Sequence, residues 1–277
     1  MWKKLLYLKQ PFPDNYTDES FLDQLKTNLT VVKYSYWKLV YDFSLISMYI
    51  SSLLLVILTF TSIYYNHINP IIPIIISSLS LMTFLIGLPK NLLSNTQNIK
   101  SFLLINFILL VLSPLLKSLT RSTSSDSIWA LSFILCLINI VFHDYAMDIS
   151  KIINYRPILS TNISMANGIV LASRLSSNLQ VYCFLLFVLQ FNILLPFIDF
   201  SLRKFSRFNQ HYTLLISIQL ISLTMIWKLA NFNLFLIYFS GQIGILFCLP
   251  GYFLFLQKYK NELQGPWDPA KPIIKTI

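Results

Sequence analysis

Eight apolar stretches follow one another along this chain, at residues 43–65, 69–88, 101–117, 127–146, 158–177, 179–200, 212–230 and 232–257. Most approach the length a helix needs to cross a bilayer, about 20 residues. Hydrocarbon offers no water to backbone N–H and C=O groups, so such stretches close their hydrogen bonds internally and become helices. Only 12% of the residues are charged and 55% are hydrophobic, against roughly a quarter charged in a soluble domain. The expected fold is all-α, a polytopic membrane bundle of about eight transmembrane helices.

The fifth stretch, ILSTNISMANGIVLASRLSSNL, is the most polar, and its Asn162, Asn167 and Arg174 suit a helix enclosed by its neighbours, with small residues for close approach. The third is short and open to a break at Pro114. Very short links join the fifth stretch to the sixth and the seventh to the eighth, which predicts two antiparallel hairpins. Cys136, Cys183 and Cys248 lie in apolar runs and read as buried thiols. The lysine-bearing N-terminus lacks a short apolar core with a small-residue cleavage site, so the first span is expected to direct insertion.

Basic residues set the orientation. With a cytoplasmic N-terminus and eight crossings, 17 of the 21 Lys and Arg face the cytoplasm, and the other four, Lys117, Arg121, Arg174 and Lys228, face away. Residues 1–42 then form a cytoplasmic arm with an amphipathic start, 43–257 the multispanning domain and 258–277 a cytoplasmic tail. Tyr34, Tyr36, Trp37 and Tyr41 belong at headgroup level. The net charge of +10 reads as topology signal and attraction to anionic lipid, and nucleic acid is excluded as a partner. Sequons at Asn15, Asn28 and Asn162 are expected to stay unmodified.

Between the third and fourth stretches, SPLLKSLTRSTSSDSIWALS (113–132) carries nine hydroxyl residues. Its hydroxyls can take up backbone groups released near Pro114. Lys117, Arg121, Asp126 and Trp129 are candidates for a polar junction or subunit contact, with Arg121 and Asp126 as an internal pair; a plain membrane-edge loop and direct chemistry are the alternatives. HDYAMDISKIINYRP (143–157) reads as an interfacial connector, a lipid or partner contact, or a cation site at His143, Asp144 and Asp148. His143 and Asp148 do not share a helical face, so no metal is expected. Lys151, Arg156, Arg203, Lys204 and Arg207 fit topology determinants or lipid-headgroup contacts, and Asp199 can pair with one of its neighbours. His67 and His211, at helix ends, suit an interfacial role. In the tail, Trp267 and Asp268 within GPWDP are candidates for docking a partner. Neither a phosphate-cradling glycine loop nor a dinucleotide fingerprint occurs, and no catalytic residue or cofactor is assigned.

Several segments taken together carry a resemblance: WKKLLYLKQPFPDNYTDESFL, SPLLKSLT, SSDSIWALS, NISMANGIVLASRLSSN, FVLQFNILLP and GPWDP. In this order over nearly the whole chain, they resemble the fungal form of the multispanning PIG-C subunit of the phosphatidylinositol N-acetylglucosaminyltransferase complex. The resemblance implies an endoplasmic-reticulum assembly transferring N-acetylglucosamine from UDP-N-acetylglucosamine to phosphatidylinositol on the cytoplasmic face, the first step of GPI-anchor synthesis. It implies as partners a glycosyltransferase catalytic subunit, other membrane subunits, and phosphatidylinositol with membrane lipid. The chain itself is then a non-catalytic subunit; the alternative is a polytopic enzyme or lipid transporter acting directly on a phospholipid.

Overall fold

A computed structural model describes residues 9–13, 16, 26–28, 32–86, 96–119, 122–145, 147, 157–205, 208–261 and 263–264. Two compact units share the chain, one built from residues 1–39 and 249–277, the other from 40–248. In the first, strand β1 (Lys26–Thr27) pairs antiparallel with β2 (Leu263–Gln264), Lys26 opposite Gln264. The Gln257 amide donates to the Val32 carbonyl at 2.5 Å. The Tyr34 ring meets Phe253 edge-on at 5.9 Å. Arm and tail are thus clasped side by side.

Eight helices lie among the described residues, one for each apolar stretch: α1 (Tyr36–Asn66), α2 (Ile71–Ile86), α3 (Thr96–Ser118), α4 (Ser125–Phe142), α5 (Ile158–Ala172), α6 (Asn178–Lys204), α7 (Phe208–Leu229) and α8 (Phe232–Gln257). Five of them, α1, α4, α6, α7 and α8, are long and apolar enough to cross a membrane, and the apolar parts of α2, α3 and α5 are shorter. α1 starts ahead of the apolar run because Ser35 caps it, its carbonyl taking the Leu39 N–H at 3.1 Å and its hydroxyl the Lys38 N–H at 3.4 Å. α3 is unbroken at Pro114. That proline has no N–H for the Leu110 carbonyl one turn back, and the Ser113 hydroxyl donates to that carbonyl instead, at 2.9 Å.

α5 ends at Ala172, short of the expected 177, because the next residues form the turn into α6. Ser177 caps α6 in a capping box with Gln180. The two helices pack without room for a side chain at Gly168, where a Cβ would stand 2.9 Å from Val188 Cγ1. α6 and α8 each contain a π-turn, Gln190–Leu194 and Gly244–Cys248. Each is followed two residues on by a proline, Pro196 and Pro250. A proline lacks the N–H for the fourth residue back and its ring crowds that carbonyl, so the preceding turn widens; in α6 the Leu195 N–H reaches back to Gln190.

α1 is the most enclosed helix: 72% of its apolar window is buried, against 6% for α8. Leu55, Val56 and Phe60 of α1 join Phe184, Leu185, Val188 and Ile198 of α6 in the core. Cys136 and Cys183 are buried, but Cys248 is exposed, because it sits in the outward-facing π-turn of α8.

Candidate functional site

The polar chemistry of the second unit converges on one face of α1. Ser44, Ser47 and Ser51 are three and four residues apart, which places them on a single helical face. Ser47 donates to Gln242 Oε1 at 2.5 Å and accepts from Gln219 Nε2 at 2.7 Å. Ser51 accepts from the Tyr238 hydroxyl at 2.8 Å, and Tyr238 is 2.9 Å from Ser222. These bonds tie α1 to α7 and α8, each worth about 0.6–2 kcal/mol in a membrane.

Toward the start of α1 the links become ionic. Asp199 of α6 receives Arg203 Nε on Oδ2 at 2.9 Å and His211 Nδ1 on Oδ1 at 2.5 Å. The other ring nitrogen of His211, Nε2, is 2.9 Å from Ser44 Oγ. A carboxylate acceptor requires the proton on Nδ1. Serine, histidine and aspartate are therefore connected in the order of an acyl-transfer relay. Yet Ser44 is 1%, His211 0% and Asp199 2% exposed, and the Ser44 hydroxyl also lies 2.6 Å from the Tyr41 carbonyl. A nucleophile sealed in this way has no approach for a carbonyl or phosphorus centre, so the set acts as a structural pin joining α1, α6 and α7. His211 is thus no interfacial histidine: it turns inward at the first turn of α7 to serve Asp199.

A second cluster joins α1, α4 and α5. The Tyr49 hydroxyl donates to Asn139 Oδ1 at 3.0 Å and lies 2.7 Å from Ser160 Oγ. Ser160 donates to Asn139 Oδ1, and Asn139 Nδ2 donates to Ser164, both at 2.7 Å. His143, just past α4, folds inward onto this cluster. Its Nδ1 is 2.7 Å from Ser160 Oγ and its ring stacks on Tyr49 with centroids 3.5 Å apart. Burial pushes His143 down to about 3, so the ring is neutral. Burial likewise raises the Tyr145 hydroxyl, which donates to the Ile140 carbonyl at 2.6 Å. Asp144 is exposed whereas His143 is buried, and no group of three His, Cys, Asp or Glu able to hold a metal ion occurs among the described residues. Asp148 lies outside them. Between the two clusters is a half-open crevice of about 10 Å³, with Leu45, Met48 and Pro196 as its apolar wall and Tyr49, His143, Tyr145, Asp199 and Arg203 as its polar one.

At the opposite end of α4, two cations staple the loops together. Lys117 Nζ donates to the Ser176 carbonyl at 2.5 Å, and an Arg174 guanidinium N–H donates to the Thr123 carbonyl. Ser124 caps α4 through the Ser127 N–H at 3.4 Å. Trp129 is half-buried, edge-on to Phe60 at 5.5 Å. Asp126 is exposed in the first turn of α4 rather than desolvated, where its charge meets the positive helix end. Arg203 is buried in its pair with Asp199, whereas Lys204 is exposed with Nζ 5.8 Å from the Phe200 ring centre. Arg121, Lys151, Arg156, Arg207, Trp267 and Asp268 lie outside the described residues.

The family model described as GPI2, phosphatidylinositol N-acetylglucosaminyltransferase, matches residues 2–268. The chain belongs to the GPI2 family. Among GPI2 relatives, the chain is 35% identical to the phosphatidylinositol N-acetylglucosaminyltransferase GPI2 subunit of Schizosaccharomyces pombe, over 98% of this chain and 86% of that one. Identity to the GPI2 subunit of Saccharomyces cerevisiae is also 35%, over 99% and 98%. To a phosphatidylinositol N-acetylglucosaminyltransferase subunit of Homo sapiens it is 30%, over 98% and 92%. No solved structure matches. The GPI2 match spans both buried clusters and the loop staple, so all three belong to the shared part of the chain.

Proposed function

We propose that this chain is a non-catalytic membrane subunit of the assembly that transfers N-acetylglucosamine from UDP-N-acetylglucosamine to phosphatidylinositol, the first step of GPI-anchor biosynthesis. The observation that carries this is similarity over nearly the full length to proteins named as subunits of that transferase. The geometry supports a scaffold: the buried polar side chains join helices to one another, and the serine–histidine–aspartate set is sealed. The chain resides in the endoplasmic-reticulum membrane with both termini cytoplasmic. Supporting this are the bias of basic residues to one side and the clasp of β1 with β2, which brings arm and tail together. Its partners are a glycosyltransferase subunit and further membrane subunits, with Trp267 and Asp268 in the docking tail. Lys151, Arg156, Lys204 and Arg207 are the candidate contacts to anionic headgroups.

The test is reconstitution. The purified full chain, given UDP-N-acetylglucosamine and phosphatidylinositol, is expected to be inactive alone and to support turnover with the glycosyltransferase subunit. Turnover by the chain alone, lost in Ser44→Ala, would favour the second reading, an enzyme acting directly on the lipid through the Ser44–His211–Asp199 set.

A further inference from the structure

We infer that the crevice between α1, α4 and α6 receives one hydroxyl of a polyol lipid headgroup, which donates its proton to the Asp199 carboxylate. Choosing a lipid as the source of the hydroxyl rests on the reading above; the demand for a donor rests on the wall itself. A volume of about 10 Å³ holds one water-sized group, so a headgroup can insert a single oxygen tip but no ring. The donors of the wall already have partners. Arg203 serves Asp199 through Nε and is also hydrogen-bonded to Tyr41. The Tyr49 hydroxyl lies 3.0 Å from Asn139 Oδ1 and 2.7 Å from Ser160 Oγ, His143 is held by Ser160, and the Tyr145 hydroxyl donates to the Ile140 carbonyl. What the wall keeps is acceptor capacity. An ionised carboxylate has about four acceptor sites, and Asp199, which lines the crevice, receives one N–H on each oxygen, from Arg203 and from His211. A hydroxyl proton adds a third bond there, of the stronger, charge-assisted kind. A phosphate oxygen brings no proton and is the poorer match. An ammonium, the other headgroup donor of that size, would stand beside Arg203 and leave one positive charge uncompensated, whereas a neutral hydroxyl leaves the Arg203–Asp199 pair balanced.

The surroundings suit a lipid rather than a soluble polyol. Phe142, next in sequence to His143, is 58% exposed and Phe197, next to Pro196, is 43% exposed, which gives the crevice apolar neighbours where acyl chains can lie. Among the wall residues, His143 and Tyr145 follow the last residue of α4, and Arg203 is next to last in α6. The crevice therefore lies where these helices end, at headgroup depth in a bundle that spans a membrane.

The test uses the purified full chain in nanodiscs of phosphatidylcholine doped equally with phosphatidylinositol and phosphatidylserine, followed by quantification of the lipid retained after detergent extraction. The two dopants carry the same net charge, so surface lysines and arginines attract both, and only phosphatidylinositol brings ring hydroxyls. It is expected to be retained about ten-fold over phosphatidylserine, the worth of one hydrogen bond to a charged group. Arg203→Gln/Asp199→Asn, which removes both charges and leaves neither alone, is expected to bring the ratio most of the way to one. Leu45→Phe adds bulk to the apolar wall and leaves every polar group in place; it too is expected to lose the preference. A melting curve on each variant separates a lost site from a lost fold. A ratio near one in the wild-type chain, or a ten-fold preference that persists in either folded variant, overturns the proposal. Displacement of the lipid by millimolar myo-inositol would show a site for free polyols and overturn the lipid as the source. Co-purification with the glycosyltransferase subunit, scored separately, tells a failed crevice from a failed subunit assignment.

Discussion

Asp199 holds a cation on one oxygen and a ring nitrogen on the other, in a place with almost no solvent. Removing one partner of such a pair leaves a buried charge uncompensated, at about 3–5 kcal/mol. Asp199→Ala is therefore expected to lower the melting temperature of the purified chain sharply, whereas Asp199→Ala with Arg203→Met recovers much of the loss; equal melting of the two variants would argue against the pin. His143 makes a pH prediction. Its ring is neutral in the folded chain, held from its ordinary 6.5 down to about 3 by burial, while the unfolded chain takes up a proton below 6.5. Acid therefore favours unfolding: stability is unaffected above 6.5 and falls as the pH drops toward 3, by about 2 kcal/mol at about pH 5. His143→Asn is expected to flatten that part of a melting-against-pH profile. The serines at helical spacing in α1 were the available signal for these sites, and the reading of the sequence passed over them. Their partners were not legible, because Asn139, Ser160, His143 and His211 are brought to α1 by helix rotation, which spacing within one helix does not encode.

Pairs of helices carry a second kind of specificity. A Cβ at Gly168 meets Val188 at 2.9 Å, so Gly168→Ala is expected to destabilise the α5–α6 hairpin and Gly168→Ala/Val188→Ala to restore it, read as protease resistance in membranes; failure of the double variant to recover would place the contact elsewhere. At the other end, Lys117 and Arg174 each donate to a carbonyl of the loop across from it. Lys117→Met/Arg174→Met is expected to lower subunit recovery more than Asp126→Ala does, since Asp126 is exposed. The junction was legible as a polar hinge because hydroxyls and cations between apolar runs have few other uses. Its wiring was not: nearness along the chain suggests Arg121 with Asp126, a pair whose Arg121 lies outside the described residues, while Lys117 and Arg174 join the junction to the α5–α6 turn, 59 and 51 residues along the chain. The π-turns were invisible for a different reason. Proline announces a disturbed helix, but whether it kinks, breaks or widens depends on the neighbours that accept the freed carbonyls.

At the scale of the whole molecule, each of the eight apolar stretches became a helix among the described residues, because hydrocarbon leaves the backbone little choice. The proposed arrangement, with both termini on the cytoplasmic side, draws support from the pairing of arm with tail through β1 and β2. Tags at both termini are expected to be reached by antibody after selective permeabilisation of the plasma membrane; a protected terminus would defeat that arrangement. What the stretches could not convey is how differently they depend on one another. α5 is 15 residues long, with Ser160, Ser164 and Asn167 buried against α1 and α4. At about 22 Å it falls short of a hydrocarbon layer of about 30 Å. Released alone from the ribosome, such a segment would have to carry its amides and hydroxyls into lipid unaccompanied. Its entry into the bilayer is then expected to be shared with α6, the pair partitioning together once the Ser177 turn has emerged.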